Sequence, residues 1–165
     1  MLLNSDEIKQ KGYVTISEYS KFTQAGVDLS VSKIEVILGG GKVLQDKTEI
    51  DPNNYEYLFT TKIGDREIWE LSPGSYSCTF NEGISVPNNA MAKITHRSSI
   101  YRMGNIIESP WWDAGFYCEK MNTTLIVNNK MIVEKNARLA QVVFYEMPIP
   151  SELYTGQFQR KSSAY

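Results

Sequence analysis

The feature that most constrains this chain is a hydrophobic pattern of period two, repeated in short runs and broken by turn chemistry. Val27-Asp28-Leu29-Ser30-Val31 alternates apolar and polar residues, and Ile34, Val36 and Leu38 continue the stripe. Alternation at that period places one set of side chains on a single face of an extended strand. Further runs lie at 55–62, 67–71, 76–81, 90–95, 122–127, 131–134 and 140–146. Asp51-Pro52-Asn53-Asn54, Ser72-Pro73-Gly74, Pro87-Asn88-Asn89 and Asn128-Asn129 supply the turns between them. Gly39-Gly40-Gly41 reads as a flexible hairpin turn. Helical signal is short. Asn4-Ser5-Asp6-Glu7 offers an N-cap with an acid three residues on, opening about two turns that end near Gly12. Many short strands and little helix predict an all-β sandwich or barrel.

A chain of 165 residues is one domain's worth. No internal repeat or linker divides it, so residues 1–147 read as the β domain and residues 148–165, polar and aromatic without periodicity, as a tail. The net charge of −2 gives no global attraction to nucleic acid or an anionic membrane, so any phosphate site must be local. No apolar run reaches the roughly 20 residues that span a bilayer. The N-terminus lacks the basic start and apolar core of a secretory signal, and the two cysteines, Cys78 and Cys118, are expected to stay reduced. A cytoplasmic protein follows as the expectation. His96 is the only histidine and is read as a strand-end residue, which excludes His-centred triads and multi-histidine metal sites. The cysteines show no C-x-x-C spacing, and the glycine triplet lacks the Lys-Ser/Thr of a phosphate loop.

Two segments carry chemistry. In Arg97-Ser98-Ser99-Ile100-Tyr101-Arg102-Met103-Gly104, Ser98 is a candidate N-cap and Gly104 a C′ stop, predicting one or two helical turns. A helix start suits phosphate oxygens, and the guanidiniums of Arg97 and Arg102, about one turn apart, could fork onto the same anion. The competing reading is a surface turn with scattered arginines. The second segment is Trp111-Trp112-Asp113-Ala114-Gly115-Phe116. Gly115 permits a tight turn, Asp113 could activate water as a general base, and Phe116 or Tyr117 could stack on a base or sugar. An ordinary aspartate turn with core-facing aromatics explains the same residues.

Together these segments, and two more, resemble a known family. Ala25-Gly26-Val27-Asp28-Leu29, Arg97-Ser98-Ser99 with Arg102, Asp113-Ala114-Gly115-Phe116, and Arg138-Leu139-Ala140-Gln141-Val142-Val143-Phe144 are similar to four ordered motifs of the dUTPase / dCTP deaminase superfamily. The third motif is closest to archaeal-type dUTP diphosphatases of the deaminase-like branch. The resemblance implies a distorted, jelly-roll-like β-barrel with one or two short helices, assembled as a homotrimer with sites between subunits. It implies Asp113 as the catalytic base that directs water at the α-phosphorus of dUTP. It places Arg97, Ser98, Ser99 and Arg102 on the phosphates, with Arg138 and Gln141 on phosphate or bracing the neighbouring subunit. Mg²⁺ would be chelated mainly by the triphosphate, with Asp28 orienting metal-bound water or supporting an arginine. The hairpin after Asp113 would read uracil through its backbone, with Phe116 packing on the deoxyribose.

In the deaminases that this chain resembles, a glutamate ten residues beyond the motif-three aspartate shuttles protons for attack at the cytosine C4. The corresponding residue here is Thr123, placed among the substrate-binding positions, and the nearest acid in sequence is Glu119, four residues early. The resemblance therefore favours hydrolysis of dUTP to dUMP and pyrophosphate. A dCTP deaminase, a bifunctional enzyme and a non-catalytic nucleotide-binding trimer are the alternatives. Two departures stand out. Cys118 replaces the usual second glycine of motif three, and the tail lacks the glycine-rich fifth motif of common trimeric dUTPases. Tyr154 and Gln157, with Arg160 or Lys161 adding charge, are the tail's candidate contacts over the nucleotide.

Overall fold

Six strands carry the period-two pattern into a closed antiparallel barrel in the computed structural model, which describes residues 1–150 and 152–156. They are β1 (Val27–Ile37), β2 (Gly74–Phe80), β3 (Ala90–His96), β4 (Ile106–Glu108), β5 (Asn122–Val127) and β6 (Arg138–Glu146). The ring runs β1–β6–β3–β4–β5–β2 and closes where β2 returns to β1. Val27, Leu29, Ile34, Cys78, Ile94, Ile107, Leu125 and Val142 are fully buried and fill the interior. Each such aliphatic side chain contributes about 1.5–3 kcal/mol over its exposed state. The alternate residues face outward. In register around the ring stand Asp28, Gln141, Thr95, Glu108, Thr124, Ser77 and Glu35, a polar row on the outer surface.

Helix α1 spans Ser5–Lys11 and follows its sequence signals. The Asn4 side chain accepts the Glu7 N–H, the Glu7 carboxylate accepts the Asn4 N–H, and Gly12 ends the helix at φ +65°. The runs at 27–31 and 34–38 are one strand, β1, with a register shift between Val31 and Lys33. The run at 55–62 is two strands. Tyr55–Tyr57 pairs with β1, whereas Thr61–Ile63 pairs with Arg66–Leu71. The chain turns off β1 at Leu58, whose N–H bonds Ile34 O and whose carbonyl accepts the Trp69 indole N–H at 2.9 Å. The glycine triplet links β1 to Gly41–Val43, which pairs with Thr48–Ile50, so it is a connection and not the turn of a hairpin.

A buried polar knot pins the chain outside the barrel. Glu82 is fully buried, and its carboxylate accepts the hydroxyls of Ser17, Ser20 and Ser30 at 2.6, 2.7 and 2.7 Å and the Ser30 N–H at 2.9 Å. These four donors satisfy a charge that would otherwise be costly to bury. Among the described residues no helix is long and apolar enough to cross a membrane.

Candidate functional site

The arginine segment sits where β3 ends. Helix α2 is Ser98–Arg102, capped by the backbone of Arg97 with no side-chain cap bond, so Ser98 is its first residue and not its N-cap. Gly104, at φ +75°, follows the helix as its C′ residue. Five residues make too short a helix for a substantial dipole, which leaves the cations to attract an anion. Arg97 is turned back along the outer surface toward β1: its Nε lies 3.0 Å from Asp28 Oδ2 and its Nη1 donates to Arg138 O at 3.0 Å. Arg138 Nε lies 4.0 Å from the same Asp28 oxygen. Ser98, Ser99 and Arg102 are exposed.

Asp28 is outward in the pleat yet buried. Burial pushes its carboxyl above the ordinary carboxylate value, against the opposing pull of Arg97, Arg138 and Lys21. Of the two roles the resemblance offers Asp28, the geometry provides for support of an arginine. Gln141, directly opposite Asp28 on β6, donates to the Thr23 hydroxyl. Gly26 makes this seam possible. A Cβ there would stand 2.4 Å from Val142 O, so only glycine lets β1 and β6 approach so closely.

The aspartate segment lies toward the other end of β3. Trp112 exchanges two backbone hydrogen bonds with Ala92, and residues 113–116 form a tight turn closed by the Phe116 N–H to Asp113 O at 3.1 Å. Gly115 holds φ +82° and donates to Val86 O at 2.9 Å. A cavity of about 350 Å³ opens beside the turn, lined by Asp113, Phe116, Thr123 and Tyr154 together with Glu108 and Trp111. Asp113 is exposed at its rim. The tail crosses this turn. The Tyr154 N–H donates to Ala114 O at 2.7 Å, its ring meets Phe116 edge-on at 5.6 Å, and Leu153 covers Gly115. Gln157, Arg160 and Lys161 lie outside the described residues. Cys118 lines the cavity from Tyr117–Cys118, in regular pairing with Gly83–Ser85, so the hairpin accommodates it without disruption.

Thr123 faces into the barrel wall opposite Cys78 and donates its hydroxyl to Glu108 O at 2.5 Å. Glu119 is exposed on the turn before β5. Glu108 is an acid of the cavity that the sequence pattern did not single out. Its carboxylate accepts from Lys93 Nζ at 2.7 Å, and that lysine, through the hydrogen bond and its charge, holds the Glu108 carboxyl below the usual value. Lys93 also lies over the Trp111 ring at 5.5 Å. No motif marks Glu108 or Lys93, because a strand pairing of β3 with β4 brings them together.

The structure therefore gathers the candidate residues into two groups. One is Asp28, Arg97, Ser98, Ser99, Arg102, Arg138 and Gln141; the other is Asp113, Phe116, Thr123 and Tyr154. Between them runs most of β3, so at ~3.3 Å per residue Arg97 and Asp113 of one chain stand about 20 Å apart.

A profile of the dCTP deaminase-like family matches residues 3–147. A probable deoxyuridine 5'-triphosphate nucleotidohydrolase of Methanosarcina mazei is 31% identical, covering 98% of each chain. One from Aeropyrum pernix is 31% identical over 96% of this chain and 98% of its own. The deoxyuridine 5'-triphosphate nucleotidohydrolase of Methanocaldococcus jannaschii is 30% identical over 90% of this chain and 94% of its own. Among solved structures, the 2'-deoxycytidine 5'-triphosphate deaminase of Agrobacterium tumefaciens shares the fold at a TM-score of 0.69 and 18% identity, over 92% of this chain and 50% of that one.

Proposed function

The chain belongs to the dCTP deaminase-like family, and from that premise we propose that it is a dUTP diphosphatase, releasing dUMP and pyrophosphate. The observation that carries this reading over deamination is the state of position 123. Its hydroxyl is committed to a backbone carbonyl inside the barrel wall. The neighbouring acid, Glu108, is drawn by Lys93 toward its ionised form, the wrong direction for a group that must give and retake a proton near neutrality. Hydrolysis at phosphorus asks only for a base, a charge clamp and a nucleoside pocket. The relatives named as dUTP nucleotidohydrolases support the same choice.

Asp113 orients a water and takes its proton as the oxygen attacks the α-phosphorus. The bond from that phosphorus to the bridging oxygen breaks, and pyrophosphate leaves with the charge. Arg97, Arg102, Ser98 and Ser99 hold the phosphates and stabilise that charge, with Asp28 fixing the direction of Arg97 and Arg138 and Gln141 bracing the same end. Phe116 and Tyr154 enclose the sugar and base, and Leu153 and Tyr154 of the tail close over the turn beside the pocket. Mg²⁺ fits this donor set as an ion that arrives on the triphosphate. No cluster of three or more Asp, Glu, His or Cys exists among the described residues, and Asp28, engaged by Arg97, would reach the ion only through water. The ion would neutralise phosphate charge.

The separation of the two groups supports sites shared between subunits, as in the homotrimer that the family resemblance implies. About 20 Å exceeds the reach from an α- to a γ-phosphate, so the cavity of one subunit needs the arginine clamp of its neighbour. We read the enzyme as cytoplasmic, a reading with which the free, buried thiols of Cys78 and Cys118 agree.

Product analysis with dUTP and dCTP side by side tests the reading. Pyrophosphate from dUTP with dCTP untouched is expected, and ammonia from dCTP would overturn it. Asp113→Asn should abolish hydrolysis while retaining dUTP binding; undiminished turnover would remove Asp113 from its role.

A further inference from the structure

We propose that Lys21 is a phosphate-binding residue, the cation that completes the clamp built on Arg97, Arg138 and Arg102. The inference rests on reading that end of the barrel as the polyphosphate site. Lys21–Phe22 pairs with β1, Lys21 directly opposite Asp28 and Phe22 opposite Val27. Directly opposed residues of an antiparallel pair share a face with Cβ atoms about 5 Å apart, so the Lys21 side chain rises beside the Asp28 carboxyl. From the other flank of β1, Gln141 opposes the same aspartate.

Charge then decides what the cluster lacks. Lys21, Arg97 and Arg138 all act on one carboxylate, Asp28, whose Oδ2 Arg97 already holds at 3.0 Å. Arg102 adds a further positive charge at the end of α2. Lys21 and Arg102 are exposed, and neither forms an ion pair among the described residues. Cations gathered in this way repel one another, and a multiply charged anion is the partner that relieves the repulsion. Lysine suits the rim of such a site, because a flexible point charge can follow a phosphate that the fixed fork of Arg97 cannot reach. Within the family motif Ala25-Gly26-Val27-Asp28-Leu29 nothing marks Lys21, since it lies on a separate strand.

The experiment titrates the full-length protein with inorganic pyrophosphate and, separately, with deoxyuridine. Lys21→Gln should weaken pyrophosphate binding about five- to tenfold, as loss of one charge-assisted contact does, and leave deoxyuridine binding unchanged. Lys21→Arg should retain affinity within about twofold. Unchanged pyrophosphate binding by Lys21→Gln, an equal loss for both ligands, or a wild-type protein that binds no pyrophosphate would each overturn the proposal. Hydrolysis of dUTP, measured in parallel, separates the two readings. Lys21-dependent pyrophosphate binding without dUTP turnover would sink the proposed reaction alone, whereas normal dUTP turnover with an indifferent Lys21→Gln would sink this inference alone.

Discussion

Gly115→Ala should uncouple the tail from the pocket while leaving the barrel intact. Gly115 occupies the left-handed region at φ +82°, where an alanine costs about 1 kcal/mol. Its new Cβ would lie 3.0 Å from both Cβ and Cδ2 of Leu153 and 3.3 Å from the Leu153 backbone, so the tail must move. Two of the tail's contacts would be lost at once. The Tyr154 N–H to Ala114 O hydrogen bond contributes about 1 kcal/mol, and the edge-on contact of Tyr154 with Phe116 another ~1 kcal/mol. Together, about 2 kcal/mol of tail docking corresponds to a roughly 30-fold fall in the docked population. The Gly115 N–H to Val86 O bond remains available, so the turn itself should persist. Hydrogen exchange at the Tyr154 amide should accelerate by that factor, kcat/KM for dUTP should fall about tenfold or more, and global stability should drop by only ~1 kcal/mol. Leu153→Gly in the same chain removes both side-chain contacts and should restore much of the exchange protection, leaving the 3.3 Å backbone approach and the backbone cost. Unchanged Tyr154 protection in Gly115→Ala, or a double variant as impaired as the single one, would refute the contact argument.

The remaining predictions concern buried carboxylates. Because the folded state favours protonated Asp28, that residue's cost to stability is fully present above its raised value and is relieved as pH falls through it toward the ordinary carboxylate value. Asp28→Asn should therefore leave Tm at neutral pH equal or higher, since Arg97, with a side chain 36% exposed, can rehydrate when its partner is gone. KM for dUTP should rise as Arg97 loses its direction; a large fall in Tm with KM unchanged would contradict this. Glu82→Ala strands four donors in a fully buried setting and should lower unfolding free energy by about 3–5 kcal/mol in urea titrations. A loss under ~1 kcal/mol would mean water replaces the carboxylate.

Local signals were legible wherever a few adjacent residues suffice. The Asn4–Glu7 capping box and Gly12 set α1, and alternation marked five of the six barrel strands. Strand β4 was not legible, because Ile106-Ile107-Glu108 is too short to show a period and is held by β3 and β5 on either side. The same limit hid Glu108 and Lys93, whose meeting depends on the Thr95 to Glu108 register. The family resemblance identifies Asp113 and Thr123 as a pair worth comparing, yet only the structure reveals that the Thr123 hydroxyl is already spent on Glu108 O. The Ser98 cap failed for a related reason. Arg97 is drawn away by Asp28, and the chain enters α2 through the Arg97 backbone.

The two glycines of these motifs do different physical work, and that difference shows how fold and site are joined. Gly115 needs its backbone angle, and what it adjoins is a tail segment without regular structure, so its perturbation can stay local. Gly26 needs space: the carbonyl of Val142 leaves no room for any side chain. That contact lies on the seam where β1 meets β6 and the barrel closes. The same seam carries Asp28 and Gln141, with Arg138 at its end, and through Asp28 it directs Arg97. Widening it would loosen the inward packing of Val27 against Val142 and misdirect the outward arginines in one motion. Alternation along a strand thus ties stability to one face and anion binding to the other at a single pair of residues, and the clamp can be no more rigid than the closure of the barrel beneath it.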